Sequence, residues 1–208
     1  MVDNGSDAEP DLPEHPAVSL VRNGENRGVA AARNQGIALG TAPVVLILDS
    51  DAELAPGCLT ALLDALDADA TIALAAPIYE DQPPEASAGR APSVARKLAR
   101  GLGLTSRYRG VRRTPDARRW SVAFAIGACQ LVRRDAWHHV GGLDETFFYG
   151  PEDLDFCLRL GRAGFSIVQV ADARCHHPAR RRHRSLFAPG GARHARALAR
   201  HYVRGWTR

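Results

Sequence analysis

The sequence predicts an α/β domain with a mostly parallel sheet flanked by helices. Three observations carry this. Strand-like and helix-like segments alternate one for one through the first half of the chain, the signature of βαβ units. Val44–Leu48 is an unbroken aliphatic run of the kind buried on both faces of a parallel sheet. That run ends directly in carboxylates, where open parallel sheets put their ligand crevice.

Residues 17–21 read as a short strand and the alanine-rich 28–39 as a helix. Val44–Leu48 follows as a buried strand. Pro56-Gly57 opens a helix reaching about Leu66, since proline suits a first helical turn. Residues 72–76 are a strand, stopped by Pro77. The segment 79–117 is rich in proline, glycine and arginine, with weak periodicity; it reads as a mobile surface excursion. Residues 120–132 form a strand, and 134–140 a helical turn broken by Gly141-Gly142. Residues 152–163 are a helix with Leu154, Cys157, Leu158 and Gly161 on its inner face, and 167–170 are the last strand.

Composition narrows the class. The chain has 208 residues, 45% hydrophobic and 24% charged, which excludes a disordered chain. No apolar run reaches the roughly 18 to 20 residues that span a bilayer. The opening Met1-Val2-Asp3-Asn4-Gly5-Ser6-Asp7 is polar from its third residue and does not read as a secretory leader, so a cytoplasmic setting is expected. The four cysteines, Cys58, Cys129, Cys157 and Cys175, contain no Cys-x-x-Cys pair, which fits reduced thiols better than a zinc site.

The net charge of +4 is unevenly spread. From Ala173 onward there are ten arginines and no Asp or Glu. Within 186–208, Ala195, Leu198, Ala199, Tyr202, Val203 and Trp206 recur at helical spacing, with Arg193, Arg196, Arg200 and Arg204 opposite. A cationic amphipathic helix of this type either docks on the inner membrane surface or closes over the preceding domain. No nucleic-acid reading motif accompanies the arginines, so nucleic acid is not an expected partner.

Three short segments carry candidate chemistry. Leu48-Asp49-Ser50-Asp51 places two carboxylates just past a strand; they suit Mg²⁺ or Mn²⁺, or mark a polar strand-to-turn junction. Glu152-Asp153 opens a helix, where carboxylates serve as dipole partners or, as neighbours, supply a general base. Cys175-His176-His177 follows the last strand and offers an imidazole ligand, or simply surface histidines in a basic tail.

Taken in order, these segments resemble family 2 glycosyltransferases of the GT-A fold. Asp3-Asn4-Gly5-Ser6, Asn26-Arg27-Gly28-Val29-Ala30-Ala31-Ala32-Arg33-Asn34-Gln35-Gly36 and Leu48-Asp49-Ser50-Asp51 look like that family's nucleotide-sugar half. Gly127-Ala128-Cys129-Gln130, Val140-Gly141-Gly142-Leu143-Asp144, Glu152-Asp153-Leu154-Asp155 and Ala163-Gly164-Phe165 look like its acceptor half, closest to the rhamnosyltransferase-like branch that builds bacterial surface polysaccharide.

The resemblance implies an inverting transfer of a sugar from a nucleotide-diphosphate donor to an acceptor hydroxyl on a glycan or lipid-linked glycan, with Mg²⁺ or Mn²⁺ as cofactor. It assigns Asp51 and Asp49 to the ion and donor, Asp3 to the nucleobase, and Arg33 to the donor face. Asp153 is the expected catalytic base with Glu152 beside it, and His176 the expected third ion ligand, with His177 as the alternative. The catalytic domain is expected over 1–185 and the basic helix over 186–208. Against the family pattern the chain lacks a first strand and helix, roughly 30 to 40 residues on the usual size of one βα unit. A start placed too late explains this, or a non-catalytic remnant that acts as a binding module.

Overall fold

A computed structural model describes residues 1–81, 87–90 and 116–178. The basic helix expected over 186–208 lies outside the described residues, as do 82–86 and 91–115 of the excursion expected over 79–117. The described chain falls into two compact units.

The first unit comprises Met1–Ala42 and Gly141–Glu152. Strands β1 (Val2–Asp3) and β2 (Val21–Arg22) pair in parallel, Val2 opposite Val21. The strand expected over 17–21 thus begins only at its last residue. Helix α1 (Val29–Ala38) follows Gly28, whose φ of 90° is a left-sided conformation open to glycine. No side chain caps α1. One orphan N–H at its start is satisfied instead by the chain itself, as Val29 N–H donates to the Phe148 carbonyl at 2.9 Å.

The second unit comprises, among the described residues, those within Pro43–Val140 and 153–178. Its strands are β3 (Val44–Leu48), β4 (Glu53–Leu54), β5 (Ile72–Tyr79), β6 (Ala88–Gly89), β7 (Arg119–Ser121), β8 (Phe124–Ala125), β9 (Cys129–Arg133) and β10 (Ser166–His176). Helices α2 (Cys58–Asp67), α3 (Arg134–His139) and α4 (Glu152–Arg162) accompany them, α4 starting on the last residue of the first unit. The main sheet runs β3-β9-β5-β10-β4, with β7 also on β10. Strands β3, β5 and β10 share one direction, as the α/β reading requires. Strand β9 is inserted antiparallel between β3 and β5.

The core follows from the pattern. All eight residues of β5 are buried, as a central strand demands. Cys58, Leu62, Ala65 and Leu66 form the inner stripe of α2 and pack with Ala75, Leu131, Val168 and Ala173 from the sheet. The four Leu62, Leu66, Ile72 and Leu74 side chains are fully enclosed; burying each contributes about 1.5–3 kcal/mol.

Four expectations are corrected. Pro77 does not stop β5, because the β5–β10 register breaks between Gln169 and Arg174. A residue with no N–H is tolerated at such an irregularity, and the Gln169 side-chain amide donates to the Pro77 carbonyl at 3.1 Å. The strand expected over 120–132 is three strands, because the chain changes partner: β7 pairs β10, β8 pairs β6, and β9 pairs β3 and β5. Strand β10 runs to His176 rather than Val170. On α4 the buried apolar residues are Leu154, Phe156, Cys157 and Leu160, whereas Gly161 is exposed. Phe156 packs on Trp137 of α3, ring centroids 4.6 Å apart, which turns the helix face relative to the expected stripe.

Candidate active site and cation centre

The acid pair sits where β3 stops. Asp49 N–H donates to the Ala128 carbonyl at 2.9 Å, and Ala52 N–H to the Asp49 carbonyl at 3.0 Å. The chain therefore turns tightly over Asp49–Ala52 and enters β4 at once. Strand β4 pairs antiparallel with the end of β10, Leu54 opposite Cys175 and Glu53 opposite His176. This ladder is what brings residues near 50 to residues near 177.

The ligand atoms that converge are those of Asp49, Asp51 and His177, all within 4.8 Å of one another. His177 Nε2 lies 3.4 Å from Asp51 Oδ1. His176, the expected third ligand, goes elsewhere: its Nδ1 is 2.9 Å from Asp81 Oδ1. Strand geometry explains the exchange. Side chains alternate along β10, so Ala173 and Cys175 face inward while Arg174 and His176 face out. His177 continues the inward series, with its side chain only 15% exposed. Two carboxylates and one imidazole form a hard, oxygen-rich donor set that fits Mg²⁺ or Mn²⁺.

The expected base is tied to the same turn. Asp153, half-buried in the first turn of α4, accepts from Gly127 N–H through Oδ2 at 3.1 Å and from Leu154 N–H through Oδ1 at 2.7 Å. Gly127 and Ala128 are adjacent, so one dipeptide holds the Asp153 carboxylate on one side and the Asp49 backbone on the other.

In the first unit, Arg33 and Asn34 of α1 hold the 143–152 segment. Arg33 Nη1 is 3.4 Å from Glu152 Oε1, both side chains largely buried. The Asn34 amide donates to the Leu143 carbonyl and to Glu145, each at 2.9 Å, and accepts from Leu143 N–H at 3.0 Å. A Cβ at Gly28 would lie 2.8 Å from the Phe148 carbonyl oxygen, so this contact needs glycine. Asp3, expected at a nucleobase, is turned inward at 2% side-chain exposure. Its carboxylate accepts from Ser6 N–H at 3.1 Å and Arg22 Nε at 3.0 Å. Hydrogen bonds from Ser6 and then Arg22 hold its pKa below the ordinary carboxylate value. The structure gives Asp3 a part in bracing its own turn.

The cysteines are free and buried. Desolvation, the largest cause, pushes the Cys58 thiol to about 11 and the Cys157 thiol to about 12, and raises Cys129 and Cys175 as well. Among the described residues the one cation-competent group contains no cysteine, and no helix is long and apolar enough to cross a membrane.

Sequence reasoning passed over Asp81, and it counted Asn34 and Gly127-Ala128 only as motif residues, with no role of their own. Alternation along an extended β10 was the signal for His177 over His176. Motif membership marked Gly127 but not its role, which lies in a backbone N–H.

Comparison with known proteins accords with this architecture. The profile of glycosyl transferase family 2 matches residues 1–141. The N-acetylglucosaminyl-diphospho-decaprenol L-rhamnosyltransferase of Mycobacterium tuberculosis is 34% identical over 206 residues, covering 86% of this chain and 66% of that protein. The pre-mycofactocin glycosyltransferase of the same organism is 34% identical over 172 residues, covering 79% of this chain and 34% of its own length. The chain thus spans at most about two thirds of these relatives. Among solved structures, the Pyrobaculum calidifontis mannosyltransferase PcManGT, in complex with GDP-Man and Mn²⁺, superposes with a TM-score of 0.58 at 19% identity, covering 91% of this chain and 47% of that one. GalNAc-T7 with UDP, GalNAc and Mn²⁺ gives 0.57 at 17% identity, covering 76% and 32%. Both share the GT-A fold with this chain. On this family match, over more than half of its length, the chain belongs to glycosyl transferase family 2.

Proposed function

We propose that the protein is an inverting, cation-dependent transferase. It moves a sugar, L-rhamnose by its relatives, from a nucleotide-diphosphate donor to a hydroxyl of a lipid-linked glycan in cell-surface polysaccharide synthesis. The observation that carries this reading is the convergence of Asp49, Asp51 and His177 on the turn whose next neighbour holds the Asp153 carboxylate.

In this reading Asp49, Asp51 and His177 hold Mg²⁺ or Mn²⁺. When bound, such an ion supplies positive charge against the diphosphate leaving group. Asp153 takes the proton of the acceptor hydroxyl, which attacks the anomeric carbon from the face opposite the departing diphosphate. One base suffices, since no covalent sugar–enzyme intermediate forms. Gly127 and Leu154 N–H groups keep the Asp153 carboxylate oriented, which spares the reorganisation a mobile base would need. Arg33, expected on the donor face, serves in this reading through its pairing with Glu152. The lipid-linked acceptor would bring the protein to the cytoplasmic membrane surface as a peripheral visitor.

Product stereochemistry tests the single-base mechanism. NMR of the glycoside formed from a donor of known anomeric configuration is expected to show inversion. Retention would require a second nucleophile and overturn this reading.

A further inference from the structure

The two histidines at the end of β10 share an anchor that lies outside the cation centre. Asp81 stands two residues beyond Tyr79, the last residue of β5. Its Oδ2 accepts from the His177 backbone N–H at 2.7 Å, and its Oδ1 lies 2.9 Å from His176 Nδ1. One carboxylate therefore grips both residues at once.

The position in the sheet explains why a grip is needed there. Strands β5 and β10 run parallel, and their register ends with Cys175 opposite Tyr79. A last main-chain rung follows, Glu80 N–H to the Cys175 carbonyl at 3.1 Å. Among the described residues the strand pairing of β10 ends at His176, one residue before His177. The Asp81 carboxylate takes over where the ladder stops. Other restraints act on the ring, among them Tyr79, which packs against it with centroids 5.7 Å apart and planes tilted 59°, and Asp51, whose Oδ1 lies 3.4 Å from Nε2.

We propose that Asp81 is a positioning residue for the cation centre. By fixing the backbone of His177 it holds the imidazole within reach of Asp49 and Asp51, and His176 is the second hold of this latch rather than a ligand. The inference rests on the reading of Asp49, Asp51 and His177 as a divalent-cation site. Its physical basis is that a ligand contributes fully only when its outer partners hold it in place; losing such a partner typically costs about 10- to 100-fold in metal affinity.

Mn²⁺ titration of the purified full chain, by calorimetry and by electron spin-echo detection of coupled nitrogen, tests this without any turnover. Asp81→Ala is expected to weaken Mn²⁺ binding about 10- to 100-fold and to diminish the nitrogen signal. Asp81→Asn keeps an oxygen to accept the His177 N–H, and is expected to recover part of the lost affinity. It also serves where Asp81→Ala does not fold. His177→Ala is expected to abolish the nitrogen coupling, and His176→Ala to preserve it. Wild-type affinity and coupling in Asp81→Ala, or coupling lost in His176→Ala and kept in His177→Ala, would overturn the latch while leaving the cation site standing. A wild-type chain that binds no Mn²⁺ would overturn both.

Discussion

Gly127 N–H donates to Asp153 Oδ2 at 3.1 Å, and the carbonyl of the next residue, Ala128, accepts from Asp49 N–H at 2.9 Å. A main-chain turn thereby couples the end of the strand that carries the acid pair to the carboxylate at the start of α4. Asp153→Asn keeps the side-chain shape and one of the two acceptor oxygens, but cannot take a proton. Transfer is expected to fall by about 10²- to 10⁴-fold, with nucleotide and Mn²⁺ binding retained. Near-normal turnover in a steady-state assay would remove Asp153 as the base.

The clamp of α1 on the 143–152 segment predicts a stability cost. Asn34→Ala deletes three hydrogen bonds and strands both main-chain groups of Leu143; about 1–3 kcal/mol is expected. Gly28→Ala forces a Cβ against the Phe148 carbonyl at a φ of 90°, for a loss of about 1–3 kcal/mol. Denaturant unfolding measures both, and unchanged midpoints would show that the segment is held by other means.

Asp3 predicts a pH signature. Its folded pKa lies below the ordinary 3.8, through Ser6 first and Arg22 second. A depressed carboxylate stabilises the fold fully above its unfolded value and loses that contribution as pH falls through the folded value. Asp3→Asn should therefore unfold more easily than wild type near neutrality, with the gap closing in acid below 3.8. A gap that stays constant across an acid titration would contradict this.

The thiols give the opposite sign. Folded values of about 11 for Cys58 and about 12 for Cys157 exceed the ordinary 9.0. Their contribution to stability is intact below 9.0 and is lost as pH rises through the folded values. Thiolates, not thiols, react. An Ellman titration at about pH 8 should label none of Cys58, Cys129, Cys157 and Cys175 in the native protein and all four after unfolding. Rapid native labelling would contradict their enclosure.

Much of this was legible in residue order. Val44–Leu48 was legible as a strand ending in acids but not in its burial: only Ile47 is buried and Leu48 is exposed, because among the described strands β3 pairs with β9 alone. The alanine-rich α1 followed from composition, and α2 from the Pro56-Gly57 opening. What escaped was long-range geometry. Nothing local shows that β4, two residues long, pairs with the end of β10, and that pairing is what carries His177 to Asp51. Pro77 misled because a proline normally ends a strand, and its toleration depends on a register break in the neighbouring strand. The pairing of Arg33 with Glu152, 119 residues away in sequence, had no local signal either. Asp81 carried no motif at all; its meaning comes from the place where the β5–β10 ladder ends.

The most direct test is sugar transfer by the purified chain. A panel of nucleotide sugars that includes an L-rhamnosyl donor would be offered with a polyprenyl-diphospho-N-acetylglucosamine acceptor, with Mn²⁺ or Mg²⁺ and with chelator. Glycolipid product is expected with the cation, none after chelation, and at least about a 100-fold loss in Asp51→Asn, on the scale of removing transition-state charge stabilisation. Full transfer in chelator, or in Asp51→Asn, would contradict the account.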